Sequence, residues 1–257
     1  MTNSGAVAGV RPAFALPTEA IPASRVWVQQ KFLMLGQAGI GKSEFWAQDP
    51  GAFFVDAEWN LNHLAVKRLP CRSWEDLREI LTLLYQAHQA GTFPYTTLVF
   101  DTYDRLVNYA NEEVVSLARR KFAKAAENIH TIGDVPEGVG WDMRKNLVMG
   151  MLQKIEQFPC AKVIIAHANN KEIKEPTRVI HKDTINIGGQ LGTDTLAWAN
   201  HILHIRASLQ GTTLQRKVYA LPSETIEAKS HGGAVPDKWE WSLSSTENFG
   251  KLKGLFT

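Results

Sequence analysis

The sequence contains 257 residues, of which 44% are hydrophobic and 21% are charged, and its net charge at pH 7 is +2. This composition is typical of a globular protein and does not favour intrinsic disorder. No apolar run reaches the ~18 residues that a membrane-spanning helix needs, and no signal peptide is indicated. A net charge this small neither requires nor excludes a nucleic-acid partner, so any basic surface must be local. The two cysteines lack metal-binding spacing, which favours buried thiols in a reducing cytoplasm.

Composition divides the chain into three parts. Residues 1–25 are rich in alanine and proline and predict a flexible arm, or an arm that docks on a neighbouring subunit through Phe14 or Leu16. Residues 26–245 alternate between strand and helix patterns and predict one α/β core. Residues 246–257 form a tail of mixed polarity with no assigned role.

The predicted elements of the core begin with strands. Apolar runs predict strands at 31–36, 52–57, 96–101 and 161–167. Helices are expected at 73–91, 103–127 and 141–158; the first has a capping pair, Ser73 and Asp76, and Gly91 at its end. A long polar loop over 168–189 precedes three strands in series at 201–207, 214–221 and 224–229. This order predicts a mostly parallel central sheet flanked by helices, with an antiparallel extension at the carboxyl-terminal end.

A glycine-rich loop directly follows the first strand. Its spacing from Gly36 to Ser43 is G-x-x-x-x-G-K-S, the pattern of a phosphate-binding P-loop between a strand and a helix. Backbone N–H groups of such a loop surround the phosphates of ATP, and Lys42 neutralises their charge. The predicted nucleotide-binding residues are Gly36, Gln37, Ala38, Gly39, Ile40, Gly41, Lys42, Ser43 and Glu44.

Polar side chains follow three of the other predicted strands. Asp101 is expected to hold Mg²⁺ together with Ser43, although an aspartate here also suits the cap of the next helix. Glu58 is the candidate base that activates water, with Asp56 as its support; the alternative is two solvated acids. His167 is a candidate sensor of the γ-phosphate, or a structural histidine.

The polar loop at 168–189 carries four candidate DNA-phosphate contacts, Lys171, Lys174, Arg178 and Lys182. Acidic residues are interspersed among them, so the loop is not a uniform basic patch. A solvated surface loop and a DNA-binding loop are equally compatible with this pattern.

These segments together resemble the RecA-type ATPase core over roughly residues 28–242. The segment FFVDAEWNL resembles the one whose glutamate activates water, which matches Glu58, and VIIAH resembles the sensor strand. The short core is most similar to phage Sak-four single-strand annealing proteins. The resemblance implies a RecA-like P-loop fold, an oligomer (ring or filament), loop 168–188 as the DNA-binding loop, and the host cytoplasm as location. It also implies single-stranded DNA as a partner, and raises a single-strand-binding protein as a further one.

Residues 228–237 stand where the resemblance places a K-x-R-x-G motif. Lys229 matches the lysine, and His231 replaces the arginine. The resemblance implies that Lys229 reaches the ATP site of a neighbouring subunit, whereas a histidine there carries a pH-dependent charge.

Three functions are therefore compared. The first is an ATP-dependent recombinase or annealing protein that binds single-stranded DNA. The second is a phosphotransferase acting on a metabolite or nucleotide. Such an enzyme is expected to have an arginine-rich lid, but the candidate lid, the polar loop at 168–189, contains only one arginine, Arg178. The third is a nucleotide-gated assembly protein that needs Lys42 and Asp101 but not Glu58.

Overall fold

The computed structural model describes residues 16, 18–19, 25–211, 213–241 and 247–256. Most of the predicted amino-terminal arm, including Phe14, lies outside the described residues, as do residues 246 and 257 of the predicted tail. Among the described residues, no helix combines the length and the apolar character that are needed to cross a bilayer.

Ten strands and six α-helices make up the described chain. The strands are β1 (Lys31–Gly36), β2 (Ala52–Asp56), β3 (Lys67–Pro70), β4 (Thr97–Asp101), β5 (Ala161–Lys174), β6 (Val179–Ile185), β7 (His201–Gln210), β8 (Thr213–Tyr219), β9 (Lys229–Ser230) and β10 (Lys238–Trp241). The helices are α1 (Lys42–Trp46), α2 (Trp74–Gln89), α3 (Tyr103–Lys121), α4 (Gly140–Ile155), α5 (Gly189–Trp198) and α6 (Glu247–Lys253).

The strands form one sheet in the order β10-β8-β7-β1-β5-β4-β2-β3, with β6 paired to β5 and β9 paired to β7. Pairing is parallel from β7 through β3, and antiparallel where β8 joins β7 and β10 joins β8. The predicted fold, a mostly parallel sheet flanked by helices with an antiparallel extension, is confirmed. Since β1 lies between β5 and β7, the glycine loop emerges near the middle of the sheet's carboxyl edge.

The two faces of the sheet are covered differently. Helices α2, α3, α4 and α5 pack an aliphatic-rich cluster on one face. The other face is rich in aromatic rings, among them Phe32, Trp46 and Phe249, which belong to β1, α1 and α6. Phe249 and Leu252 of α6 are 4% and 2% exposed, so one face of this helix, in the segment set apart as a tail, packs into this core.

Helix α2 matches its prediction closely. The Ser73 hydroxyl accepts a hydrogen bond from the Asp76 backbone N–H at 3.0 Å, as a helix cap requires. The Asp76 carboxylate in turn accepts from the Arg72 backbone N–H at 2.7 Å. Leu77 and Leu84 are buried on the inner face of the helix. The sequence was sufficient to predict this helix cap because the capping residues lie within about one helical turn of each other.

The polar loop expected at 168–189 is wrong for most of its length. Strand β5 continues to Lys174, and β6 returns beside it as an antiparallel hairpin. The pairing of β5 with β1 ends at His167, so the hairpin projects past the sheet and its side chains are largely exposed. Without a buried face it shows no alternation of apolar and polar residues, which is the usual signal of a strand.

Three other elements differ from expectation. The strand predicted at 224–229 is wrong except for Lys229, because Ser223 and Ile226 pair across a tight turn. Strand β3 was not predicted; it is a short edge strand that ends in Pro70, and proline is tolerated at such edges. Helix α5 was also not predicted; it begins at Gly189, the last residue of the segment expected to be a loop.

Candidate functional site

The glycine loop joins β1 to α1 at the carboxyl edge of the sheet. Gly41 precedes the helix with φ of 96°, a left-handed conformation that glycine adopts without steric cost. This turn directs the backbone N–H groups at the start of α1 towards the loop, where they favour an anion.

Lys42 lies across the loop that precedes it. Its ammonium donates to the carbonyl oxygens of Gly36 at 2.9 Å and Gln37 at 2.8 Å. The side chain is buried, and burial lowers the pKa of Lys42, while the nearby carboxylates of Asp101 and Asp104 oppose this effect. The loop thus holds a desolvated cation inside a space bordered by acidic groups.

Ser43 and Asp101 form a short hydrogen bond. The Ser43 hydroxyl donates to Asp101 Oδ2 at 2.5 Å. Burial raises the pKa of Asp101 to about 6, although the hydrogen bond from Ser43 lowers it. A hydroxyl and a carboxylate oxygen at this distance are the hard ligands that Mg²⁺ prefers, so the pair fits this ion.

Glu58 points into the same cleft from the turn after β2. Its Oε1 atom accepts a hydrogen bond from the Thr102 hydroxyl at 2.6 Å, and Oε2 accepts from the Asn60 amide at 3.0 Å. The chain turns sharply at Trp59, which has φ of 58°. Thr102 was not identified from the sequence, although its position directly after Asp101 could have indicated it.

Asp56 does not accompany Glu58, contrary to the expectation that both carboxylates point to one side. Asp56 is buried and lies 3.7 Å from the Arg68 guanidinium of β3. Strand geometry ends at Asp56, so the alternation of an extended chain does not reach Glu58.

His167 closes the cleft at the end of the shared part of β5. Its backbone N–H donates to Asp104 Oδ2 at 2.7 Å, and its Nδ1 atom lies 3.3 Å from the same oxygen. This contact raises the pKa of His167 above its usual value. Asp104 was also missed, because it lies inside helix α3 and not at a strand end.

One cleft therefore collects most of the predicted site. Its lining residues are Ala38, Gly39, Gly41, Lys42, Ser43, Glu44, Glu58, Asn60, His63, Asp101, Thr102 and His167. The glycine loop, the paired Ser43 and Asp101, and the exposed carboxylate of Glu58 share this space. Such a set can bind a phosphate chain with a divalent cation and orient a water molecule beside it.

Comparison with known families agrees with this arrangement. A family model described as an AAA domain matches residues 29–231. The chain belongs to the AAA domain family. Membership indicates nucleotide-binding ATPase activity in general. No curated protein matches the chain.

Lys229 is not part of the cleft in this AAA domain. Its ammonium donates to the carbonyl oxygens of Ala199 at 2.6 Å and of Leu196 and Ala197 at 3.3 Å, at the end of α5. Lys229 pairs with Ile202, which in turn pairs with Leu33 near the start of β1. The lysine therefore lies towards the amino edge of the sheet, away from its own glycine loop.

Three of the four candidate DNA contacts on the hairpin of the AAA domain lie beside carboxylates. Arg178 binds Glu175 at 2.8 Å and Glu224 at 2.9 Å. Lys182 lies 2.9 Å from Glu227, and Lys174 lies 3.9 Å from Glu172. Lys171 borders a groove between the hairpin and α5. The hairpin is thus close to neutral, as its mixed sequence indicated.

Proposed function

We propose that this AAA domain is a Mg²⁺-dependent ATPase that couples ATP hydrolysis to the binding of single-stranded DNA. In this proposal it acts in an oligomer as a recombinase or annealing protein of the phage Sak-four type. The observation that carries the ATPase part is the single cleft that joins the glycine loop, the Ser43–Asp101 pair and Glu58.

Binding of ATP would begin with the exchange of contacts at Lys42. Its ammonium leaves the carbonyl oxygens of Gly36 and Gln37 and binds oxygens of the β- and γ-phosphates, while loop N–H groups surround the chain. Ser43 and Asp101 are the residues that would hold Mg²⁺, which neutralises charge on the phosphates when bound.

Hydrolysis would depend on Glu58. The carboxylate accepts a proton from water, whose oxygen attacks the γ-phosphorus; the bond to the bridging oxygen breaks and ADP and phosphate are released. Thr102 holds Glu58 Oε1 at 2.6 Å and so orients the base. Because Glu58 is exposed on the cleft whereas Asp56 is buried, Glu58 is the better placed of the two.

His167 would report the state of the nucleotide to the hairpin. It lines the cleft, and the next residue along β5, Ala168, is the first to pair with β6. A change in the contacts of His167 therefore acts directly on the base of the hairpin.

The DNA part of the proposal rests on this hairpin. Lys171 is exposed and the Lys174 side chain is 79% exposed, 3.9 Å from Glu172, whereas Arg178 and Lys182 would have to exchange a closely bound carboxylate for a phosphate. DNA binding should therefore depend mainly on backbone charge and weaken with salt. Action of Lys229 in a neighbouring cleft stays a prediction and would require it to leave the end of α5.

Turnover of ATP tests the proposal. We expect stimulation by single-stranded DNA but not by duplex DNA, and less stimulation at higher salt. The double variant Lys171→Ala/Lys174→Ala should lose the stimulation and keep basal turnover. Lys154→Ala, an exposed lysine of α4, is the matched control. Turnover that no DNA alters would contradict the DNA part, and no turnover at all would contradict the ATPase part.

Exposed apolar side chains on the hairpin favour a second candidate. Ile173 is 36% exposed and Val179 is 51% exposed, and the register of β5 and β6 places them on opposite faces of the hairpin near its tip. A nucleotide-gated protein that binds a partner through this hairpin would use them. Binding of ATP without turnover would support this candidate, because a nucleotide-gated protein does not need Glu58 as a base.

A further inference from the structure

A second cleft, of about 410 Å³, lies on the opposite side of the glycine loop. Strand β1 pairs with β7 only up to Leu35 and His204, while β7 continues to Gln210. The edge of β7 at residues 205–207 therefore faces the loop with no strand partner on that side among the described residues. Gly36 lies close to β7: a Cβ at this position would be 3.0 Å from the Ile205 carbonyl oxygen. A larger residue would therefore push the glycine loop away from β7.

Apolar and cationic groups line this second cleft. Ile40, Ala207 and Leu214 provide apolar surface, and the guanidinium groups of Arg206 and Arg216 provide charge. Arg216 donates from Nε to the Ile40 carbonyl oxygen at 3.0 Å, which fixes the loop against β8. A cleft of this size that combines apolar surface with polar and charged groups suits a small ligand such as a nucleoside.

The orientation of a nucleotide follows from the sheet order. The Ser43–Asp101 pair, Glu58 and His167 all lie on the side of β1 that carries β5 and β4. The terminal phosphate of a nucleotide would bind on this β5 side, beside these residues. The phosphate chain would then run along the glycine loop, and the sugar and base would lie on the opposite side, next to β7. The second cleft is the space available on that side.

Arg206 connects this cleft to the hairpin. It donates to Asp183 Oδ2 of β6 at 2.5 Å and to the Thr225 carbonyl oxygen at 2.7 Å, while its Nε atom is buried with no partner among the described residues. Asp183 also accepts from the Asn170 amide at 2.8 Å, across the hairpin. Both Asp183 and Arg206 line the second cleft.

We propose that the second cleft binds the ribose and base of the nucleotide, and that Arg206 is a positioning residue shared between the nucleotide and Asp183. This inference rests on the proposed nucleotide site. Oxygens of the ribose or α-phosphate compete with the Asp183 carboxylate for Arg206, so nucleotide binding loosens the hairpin at β6. By reciprocity, a ligand that draws Asp183 away from Arg206 tightens nucleotide binding.

Equilibrium binding of ADP to single variants tests the competition. Arg206→Ala should weaken ADP binding about three- to tenfold, and Asp183→Asn should tighten it by a similar factor, as expected for exchange of one partly exposed charged contact. Arg206→Lys should restore part of the affinity. Opposite changes in ADP affinity in the two variants would indicate competition for Arg206. If Arg206 and Asp183 were only a structural pair, both substitutions would weaken ADP binding. Glu224→Gln, which removes a carboxylate partner of Arg178 outside the cleft, is the control.

Amide hydrogen exchange of the hairpin provides a second readout. ADP should accelerate exchange at residues 179–185 in the unmodified protein and have no such effect in Asp183→Asn. This inference would be overturned if ADP affinity is lost in Lys42→Ala but is unchanged or reduced in Asp183→Asn. That result would still support the proposed nucleotide site. Absence of any ADP binding by the unmodified protein would overturn both.

Discussion

The two edges of the parallel sheet carry the same types of polar residue but leave them in different bonding states. At the amino edge, Asp49 accepts hydrogen bonds from the Thr97 hydroxyl at 2.5 Å and the Gly51 N–H at 3.0 Å, with Lys253 3.7 Å away. At the carboxyl edge, Asp101 accepts from Ser43 and opens into a cleft. A site is therefore marked by polar groups that border a cavity, and not by residue type alone.

The largest effect of any single substitution is expected for Glu58→Gln, at the carboxyl edge. An amide cannot accept the proton of water, so turnover of ATP should fall about a hundredfold or more while ADP binding is kept. Steady-state phosphate release and ADP titration measure the two effects. Turnover that survives this substitution unaltered would assign the base to another residue.

The free energy of unfolding should decrease at acidic pH because of His201, a buried histidine at the amino edge of the sheet. Burial against Phe32 and Phe256, with smaller effects of His231 and Lys229, lowers its pKa from 6.5 to about 4. The neutral form is then favoured in the folded state, so the contribution of His201 to stability is constant above pH 6.5 and is lost as pH falls towards 4. This shift corresponds to about 3 kcal/mol.

Urea unfolding at pH 7, 5.5 and 4 measures this loss. His201→Asn should be less stable than the unmodified protein at pH 7 but should show a flatter dependence on pH. His181→Asn, on the exposed hairpin, is the control. An equal pH dependence in His201→Asn and the unmodified protein would refute the role of His201.

Asp49→Asn should destabilise the fold by about 2 kcal/mol. The substitution weakens the hydrogen bonds from Thr97 and Gly51 and places an amide N–H₂ among donors, in a buried position. Turnover below the unfolding temperature should stay within about twofold of normal. A variant of normal stability with impaired turnover would contradict the contrast between the edges.

The smallest effect is expected for Lys229→Met. It removes hydrogen bonds from one ammonium to carbonyl oxygens at the end of α5 and should cost about 1 kcal/mol of folding free energy. Chemical denaturation measures this cost. Loss of turnover in the assembled protein with unchanged stability would instead support a role in a neighbouring cleft.

Local signals allowed much of the fold and part of the site to be predicted. The glycine loop, the cap of α2 at Ser73 and the position of Asp101 depend on neighbours in sequence. The pairing of Arg178 with Glu224 depends on residues 46 positions apart, which no spacing rule connects. The same holds for α6, whose Phe249 is recognised as core only once the aromatic cluster of β1 and α1 is assembled.

Titration of ATP with Mg²⁺ into Lys42→Ala and Lys229→Met tests the central claim most directly. Both variants remove one ammonium that binds main-chain carbonyl oxygens, one at each edge of the sheet. We expect binding to be lost in Lys42→Ala and retained in Lys229→Met. Retention of full affinity in Lys42→Ala would contradict the assignment of the carboxyl-edge cleft as the nucleotide site.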